Sequence, residues 1–211
     1  QKRAMIISST GTGKTYLSAF DVKAFKPKKF LFVVHREQIL AQAEKSYKKV
    51  LGNNIKTGFL SGTKKDYDCD YLFATIQSLS KDEVLHKFSK DHFDMICCDE
   101  IHKAGSATYE KVIKYFNPKF MLGMSATPER TDGKDVYSLF DNNIAYEIRL
   151  NDALENDLLC PFHYFGITDI EIDGNYVDNT TGFNTLVHEI RVDYILDKAK
   201  YYGHSSDKVH G

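Results

Sequence analysis

Two short stretches carry side chains of the kinds that hold and cleave a phosphate chain. In Ser8-Ser9-Thr10-Gly11-Thr12-Gly13-Lys14-Thr15, two glycines lead into a lysine and a hydroxyl. Glycine tolerates backbone conformations that a Cβ forbids. The N–H groups of Thr10, Gly11, Thr12, Gly13, Lys14 and Thr15 can therefore turn toward one anion beside the positive end of a helix dipole. In that arrangement Lys14 reaches the β- and γ-phosphates of ATP, and the Thr15 hydroxyl binds Mg²⁺. The general pattern has a glycine where this chain has Ser8. On these residues alone, a plain strand-to-helix turn is the alternative.

The second stretch is Phe93-Asp94-Met95-Ile96-Cys97-Cys98-Asp99-Glu100-Ile101-His102. An apolar strand that ends in adjacent carboxylates delivers them to the edge where a phosphate loop also lies. Asp99 then holds Mg²⁺, usually through water, and Glu100 orients and polarises an attacking water. Two acids that cap the next helix would look the same, and only the pairing with Lys14 and Thr15 favours catalysis.

Both stretches need a scaffold that brings strand ends together. Ala4 to Ser8 is a short apolar run, and Leu17, Phe20 and Ala24 follow at helical spacing. Lys26-Pro27 stops that helix, and Phe30 to Val34 reads as a strand buried on both faces. A second helix carries Ile39, Leu40, Ala43, Tyr47 and Val50 on one stripe and ends at Leu51-Gly52. Apolar runs recur at Gly58 to Leu60, Tyr71 to Ala74, Asp94 to Cys98 and Phe120 to Met124. The alternation predicts an α/β fold, a doubly wound and mostly parallel sheet of the phosphate-loop kind, with ligands at the carboxyl ends of its strands.

This domain is expected over residues 1–165. Residues 166–183, rich in Asn, Asp, Thr and Gly, read as a linker or small hairpin. Residues 184–211 bring one amphipathic helix with Val187, Ile190, Tyr194, Ile195, Ala199 and Tyr202 on a face. Both ends read as cut from a longer protein.

The 211 residues are 42% hydrophobic and 27% charged, an ordinary globular balance with no membrane-length apolar run or signal-peptide pattern, so a cytoplasmic location is expected. Net charge is −1, so any nucleic-acid contact must be local. Small basic clusters at Lys26, Lys28 and Lys29, at Lys48 and Lys49, and at Lys64 and Lys65 read as solvated surface. Cys69, Cys97, Cys98 and Cys160 have no metal-site spacing and read as reduced core thiols.

His102, two residues past Glu100, gives Asp-Glu-x-His, and here the sequence resembles the superfamily 2 helicases and translocases. Ser8 to Thr15 resembles the family's motif I, and Val33-Val34-His35-Arg36 its motif Ia. Phe59-Leu60-Ser61-Gly62 looks like motif Ib, Ala74-Thr75-Ile76-Gln77-Ser78 the Thr-x-Gln-Ser motif, and Ser125-Ala126-Thr127 motif III. The segment from Ala126 to Gly133 and the text beyond it look like the restriction branch, similar to the translocating subunits of type I and type III restriction enzymes.

The resemblance implies a RecA-like motor domain that binds Mg-ATP and moves on nucleic acid, its expected partners being double-stranded DNA and a second RecA-like domain of the same parent chain. It makes His35, Arg36, Gly62, Thr75, Gln77 and Ser78 donors to backbone phosphates, and His102, Ser125 and Thr127 a coupling between nucleotide state and nucleic-acid grip. The arginines with which the family completes its ATP site, from that second domain, are missing: Arg149 and Arg191 stand in no such pattern. A phosphate-loop ATPase or kinase outside the helicases, and a nucleic-acid-binding module with a vestigial ATP site, are the alternatives.

Overall fold

A computed structural model describes residues 2–101, 107–129, 136–161, 171–172, 175–176 and 189–202. The chain divides into two compact units, Gln1–Cys160 and Pro161–Gly211. Among the described residues no helix is long and apolar enough to cross a membrane.

The first unit is built on strands β1 (Arg3–Ser8), β2 (Phe30–Val34), β3 (Thr57–Leu60), β4 (Tyr71–Thr75), β5 (Met95–Cys98), β6 (Phe120–Ser125) and β7 (Ile144–Ile148). They form one sheet in the order β3-β4-β2-β5-β6-β1-β7, and all its pairings are parallel. Every carboxyl end therefore opens on the same edge, where ligands bind in sheets of this kind. The crossover from β1 to β2 skips two strands, so the chain leaves β1 for one half of the sheet and returns through β5 and β6.

Because successive side chains alternate, each strand supplies two cores. Ala4, Ile6, Phe32, Cys97 and Leu122 face helices α1 (Lys14–Phe25) and α2 (Glu37–Leu51). Met5, Ile7, Leu31, Val33 and Cys98 share the opposite core with α3 (Ile76–Leu79), α4 (Asp82–Leu85) and α5 (Ala107–Tyr115). A 3-10 turn, Tyr137–Phe140, places Phe140 in that second core, and α6 (Leu150–Glu155) follows β7.

Helix ends obey their sequence signals. Lys26 takes the left-handed conformation at φ 55°, its N–H returns to the Val22 carbonyl at 2.9 Å, and Pro27 prevents continuation. Gly52, at φ 97°, ends α2.

Two readings of the sequence are corrected here. In α1 the residues packed on the sheet and α2 are Ser18, Ala19 and Val22, whereas Leu17 and Phe20 are exposed, because small residues let the two helices approach closely. Cys69, Cys97 and Cys98 are buried free thiols as expected, but Cys160 is exposed.

In the second unit, β8 (Glu171–Ile172) pairs antiparallel with β9 (Asn175–Tyr176), and α7 spans Glu189–Tyr202 without a buried residue.

Candidate active site

The loop between β1 and α1 has the backbone that its glycines suggested. Gly11 and Gly13 lie at φ 89° and 85°, a left-handed region that disfavours side chains. Gly13 opens α1, and its carbonyl accepts the Leu17 N–H at 3.0 Å. Below the turn, the Thr12 hydroxyl donates to the Ser9 carbonyl at 2.7 Å and also meets the Ser8 hydroxyl. Ser8 therefore ties the base of the loop where the general pattern has glycine.

Lys14 folds its ammonium onto the carbonyls of Ser8 and Ser9, at 2.8 and 2.9 Å. Burial draws its pKa below the ordinary lysine value, and the nearby charges of Asp99 and Glu100 oppose that shift. Those carbonyls are weaker partners for a cation than a phosphate would be, which leaves Lys14 ready to transfer to an anion in the loop.

Asp99 stands at the end of β5, only 8% exposed. Its N–H donates to the Val33 carbonyl at 2.8 Å, and its Oδ1 accepts the Glu100 N–H at 2.8 Å. Burial raises its pKa first, with a smaller push from the Glu100 carboxylate, against the lowering by the Glu100 N–H and by Lys14. Glu100 follows at φ 53°, a left-handed backbone for a residue with a side chain and a feature that concentrates at functional sites.

These groups meet in a cavity of about 420 Å³ lined by Thr10, Gly11, Gly13, Lys14, Thr15, Asp99, Glu100 and Ser125, and bounded on the α2 side by Gln42 and Ser46. A hydroxyl and a buried carboxylate beside a phosphate-type loop form the donor set that Mg²⁺ favours. The residues therefore fit a Mg-nucleotide.

Ser125 ends β6 in the same cavity and accepts the Thr127 N–H on its hydroxyl at 3.2 Å. His102 lies outside the described residues. Arg149 donates to Glu129 at 2.6 Å and to Glu147, an arrangement that occupies its guanidinium.

The expected nucleic-acid donors gather at the carboxyl ends of β2, β3 and β4, the other half of the same edge. Val34 is in register with Thr75, and Leu60 with Ala74. His35 and Gln77 are joined there, Nδ1 to Nε2, at 2.9 Å. Arg36, Gly62 and Gln77 are exposed. Thr75 and Ser78 are buried and hydrogen-bond each other at 3.0 Å, so their hydroxyls shape the turn and do not face solvent. Glu37, which the sequence did not single out, accepts from Ser61 at 2.6 Å and Thr63 at 3.0 Å and fixes the loop after β3 to the start of α2.

Sequence reasoning also missed a buried polar seam behind the cavity. The Ser18 hydroxyl donates to the Thr15 carbonyl at 2.9 Å and meets the Tyr47 hydroxyl, with the Cys97 thiol of β5 beside both. Tyr47 was visible only as a member of an apolar stripe.

The chain is similar in sequence and fold to known proteins. The chain is 27% identical over 214 residues to the type I restriction enzyme EcoAI endonuclease subunit of Escherichia coli, a match that covers 95% of this chain and 26% of that subunit. It is 27% identical to the DNA 3'-5' translocase XPB2 of Sulfurisphaera tokodaii over 69% of this chain and 32% of the translocase. The chain spans about a quarter to a third of the length of such relatives. The fold is that of the Pyrococcus furiosus Hef helicase domain, with a TM-score of 0.58 at 22% identity over 69% of this chain and 35% of that one. The model of the type III restriction enzyme res subunit matches residues 1–130, and the chain belongs to that family.

Proposed function

We propose that the chain is the ATP-binding motor domain of a superfamily 2 DNA helicase or translocase, coupling ATP hydrolysis to movement on nucleic acid. The observation that carries this reading is the division of one sheet edge. Lys14, Thr15, Asp99 and Glu100 line a cavity at the ends of β1 and β5, and exposed Arg36, Gly62 and Gln77 stand at the ends of β2, β3 and β4. Bound Mg²⁺ would supply charge neutralisation at the phosphates. The loop N–H groups and Lys14 bind and orient the phosphate chain, Thr15 and Asp99 offer oxygens to the metal, and Glu100 takes up the proton of an attacking water.

Duplex DNA is the favoured track, since relatives carry the names of a restriction endonuclease subunit and a DNA translocase. Residues 166–183 then serve as a linker and 184–211 as the opening of a second motor domain, whose arginines the family uses to complete the site. The resemblance therefore implies that this chain binds nucleotide and turns it over slowly.

Calorimetric titration with Mg-ATP tests the reading. Lys14→Ala should weaken binding at least tenfold, because the phosphates lose their mobile cation. Glu100→Gln should bind nearly as wild type does. Duplexes of unrelated sequence should bind alike, and more weakly at higher salt. Equal affinity of wild type and Lys14→Ala for Mg-ATP would remove the nucleotide site.

A further inference from the structure

Strand β3 lies at the edge of the sheet and pairs with β4 alone, so the loop that leaves its carboxyl end has a strand on one side only. That loop is tightly built all the same. The Ser61 N–H donates to the Lys64 carbonyl at 2.9 Å, the Lys64 N–H donates to the Ser61 hydroxyl oxygen at 3.3 Å, and Leu60 bridges to Lys65. Gly62 and Thr63 at its tip are exposed, and a Cβ added to Gly62 would meet nothing within 4 Å.

Glu37, the first residue of α2, supplies the support that the missing strand would have given. A single oxygen, Oε1, accepts the Ser61 hydroxyl at 2.6 Å and the Thr63 hydroxyl at 3.0 Å. These two donors, Ser61 the stronger, hold the Glu37 carboxyl below the ordinary glutamate value against a smaller effect of desolvation, and the Lys64 ammonium adds to the lowering. The residue before it, Arg36, is exposed just past the end of β2. One carboxylate therefore sets the spacing between Arg36 and the turn at 61–64.

We propose that Glu37 is a positioning residue for nucleic acid: it clamps the turn at 61–64 to the start of α2, so that Arg36 and Gly62 meet the backbone of one strand together. The inference rests on the reading of this half of the edge as the nucleic-acid track. Phosphates recur at a regular interval along a strand, and donors on separate elements engage them jointly only when their own spacing is fixed. A loop that must be ordered at the moment of binding lowers affinity. A bare carboxylate among phosphate donors would repel the ligand, but here two hydroxyls and the Lys64 ammonium engage its charge.

The clamp and the charge make opposite predictions. Glutamine keeps an oxygen that can accept from both hydroxyls and removes the charge, whereas alanine removes both. If Glu37 were only an acid beside a polyanion, either substitution would strengthen binding.

The test measures labelled duplexes of unrelated sequence binding to the 211-residue chain by fluorescence anisotropy, with circular dichroism showing that each variant stays folded. Glu37→Ala should weaken binding about three- to tenfold, and Glu37→Gln should stay within about twofold of wild type. Thr63→Val, which keeps the shape and loses one donor, should also weaken binding. Combining it with Glu37→Ala should add little to Glu37→Ala alone, because both remove the same contact. Glu37→Ala that binds as well as wild type or better, Glu37→Gln as weak as Glu37→Ala, or fully additive losses in the double variant overturn the clamp and leave the track in place. Wild type that binds no duplex overturns the track itself, and the clamp with it.

Discussion

The hydroxyls of Ser18 and Tyr47 share a 2.8 Å hydrogen bond in the buried seam between α1 and α2. Ser18 also reaches the Thr15 carbonyl, and the seam closes on Cys97, two residues before Asp99. The contact therefore links the helix that starts at the phosphate loop to the strand that delivers the acidic pair.

Tyr47→Phe isolates that link. The ring keeps its neighbours Phe30, Phe32 and Phe73, and only one buried hydroxyl is lost. Urea unfolding should show a loss of about 1 kcal/mol with an unchanged slope. Tyr47→Ala, which also empties the space of the ring, should cost roughly 3–5 kcal/mol. An unchanged midpoint for Tyr47→Phe would show that ring packing alone holds the seam.

Glu100 at φ 53° makes a second prediction. A left-handed residue with a Cβ costs roughly 1–2 kcal/mol, and glycine avoids that cost at the expense of unfolded-state entropy. Glu100→Gly should therefore be about 0.5–1 kcal/mol more stable than Glu100→Ala. The pair of alanine and glycine variants removes the carboxylate equally, so chemical denaturation of the two reads the backbone alone. A more stable alanine variant would contradict the left-handed backbone.

Gly123, inside β6, has no room for a methyl. An added Cβ would lie 2.6 Å from Cζ of Phe140 and 2.8 Å from Cδ1 of Ile101. Phe140 is fully buried in the second core, and neither neighbour is a flexible chain end on the surface. Gly123→Ala should cost roughly 1–3 kcal/mol by thermal unfolding. Gly123→Ala with Phe140→Leu should recover part of that loss, because the smaller side chain vacates the ring's edge.

The buried strands and the acidic and basic poles of the site were legible in the sequence because each depends on a local pattern. Phe30 to Val34 is an unbroken apolar run, and all five residues are buried. Strand β7 was not legible: it is an edge strand whose first four residues, Ile144 to Glu147, stay exposed, so neither a run nor a clean alternation marks it. The stripe of Leu17, Phe20 and Ala24 drew attention to the wrong face of α1, since close helix packing selected Ser18, Ala19 and Val22 by size and not by hydrophobicity. The Thr75 and Ser78 hydroxyls looked like phosphate donors because residue type does not reveal that they bond each other in the interior.

Asp99 carries the last prediction, an exchange of stability for function. Its carboxyl is raised above 3.8 chiefly by burial, which outweighs the favourable Lys14 charge and Glu100 N–H. With the folded value above the unfolded one, the folded state holds the proton more tightly. Stability is therefore greatest in acid and falls as pH rises from the unfolded value through the folded one. Asp99→Asn removes the buried charge and keeps an oxygen to accept the Glu100 N–H at the same place. The variant should match wild type near the unfolded carboxylate pKa and become the more stable protein above the folded one, by about 0.5–2 kcal/mol. Mg-ATP affinity should fall at the same time, because the metal loses an anionic oxygen. Urea unfolding at a series of pH values, with parallel titration of Mg-ATP, measures both. If Asp99→Asn is the less stable protein at neutral pH, the Lys14 and Glu100 contacts outweigh burial, and Asp99 serves the empty fold as well as the nucleotide.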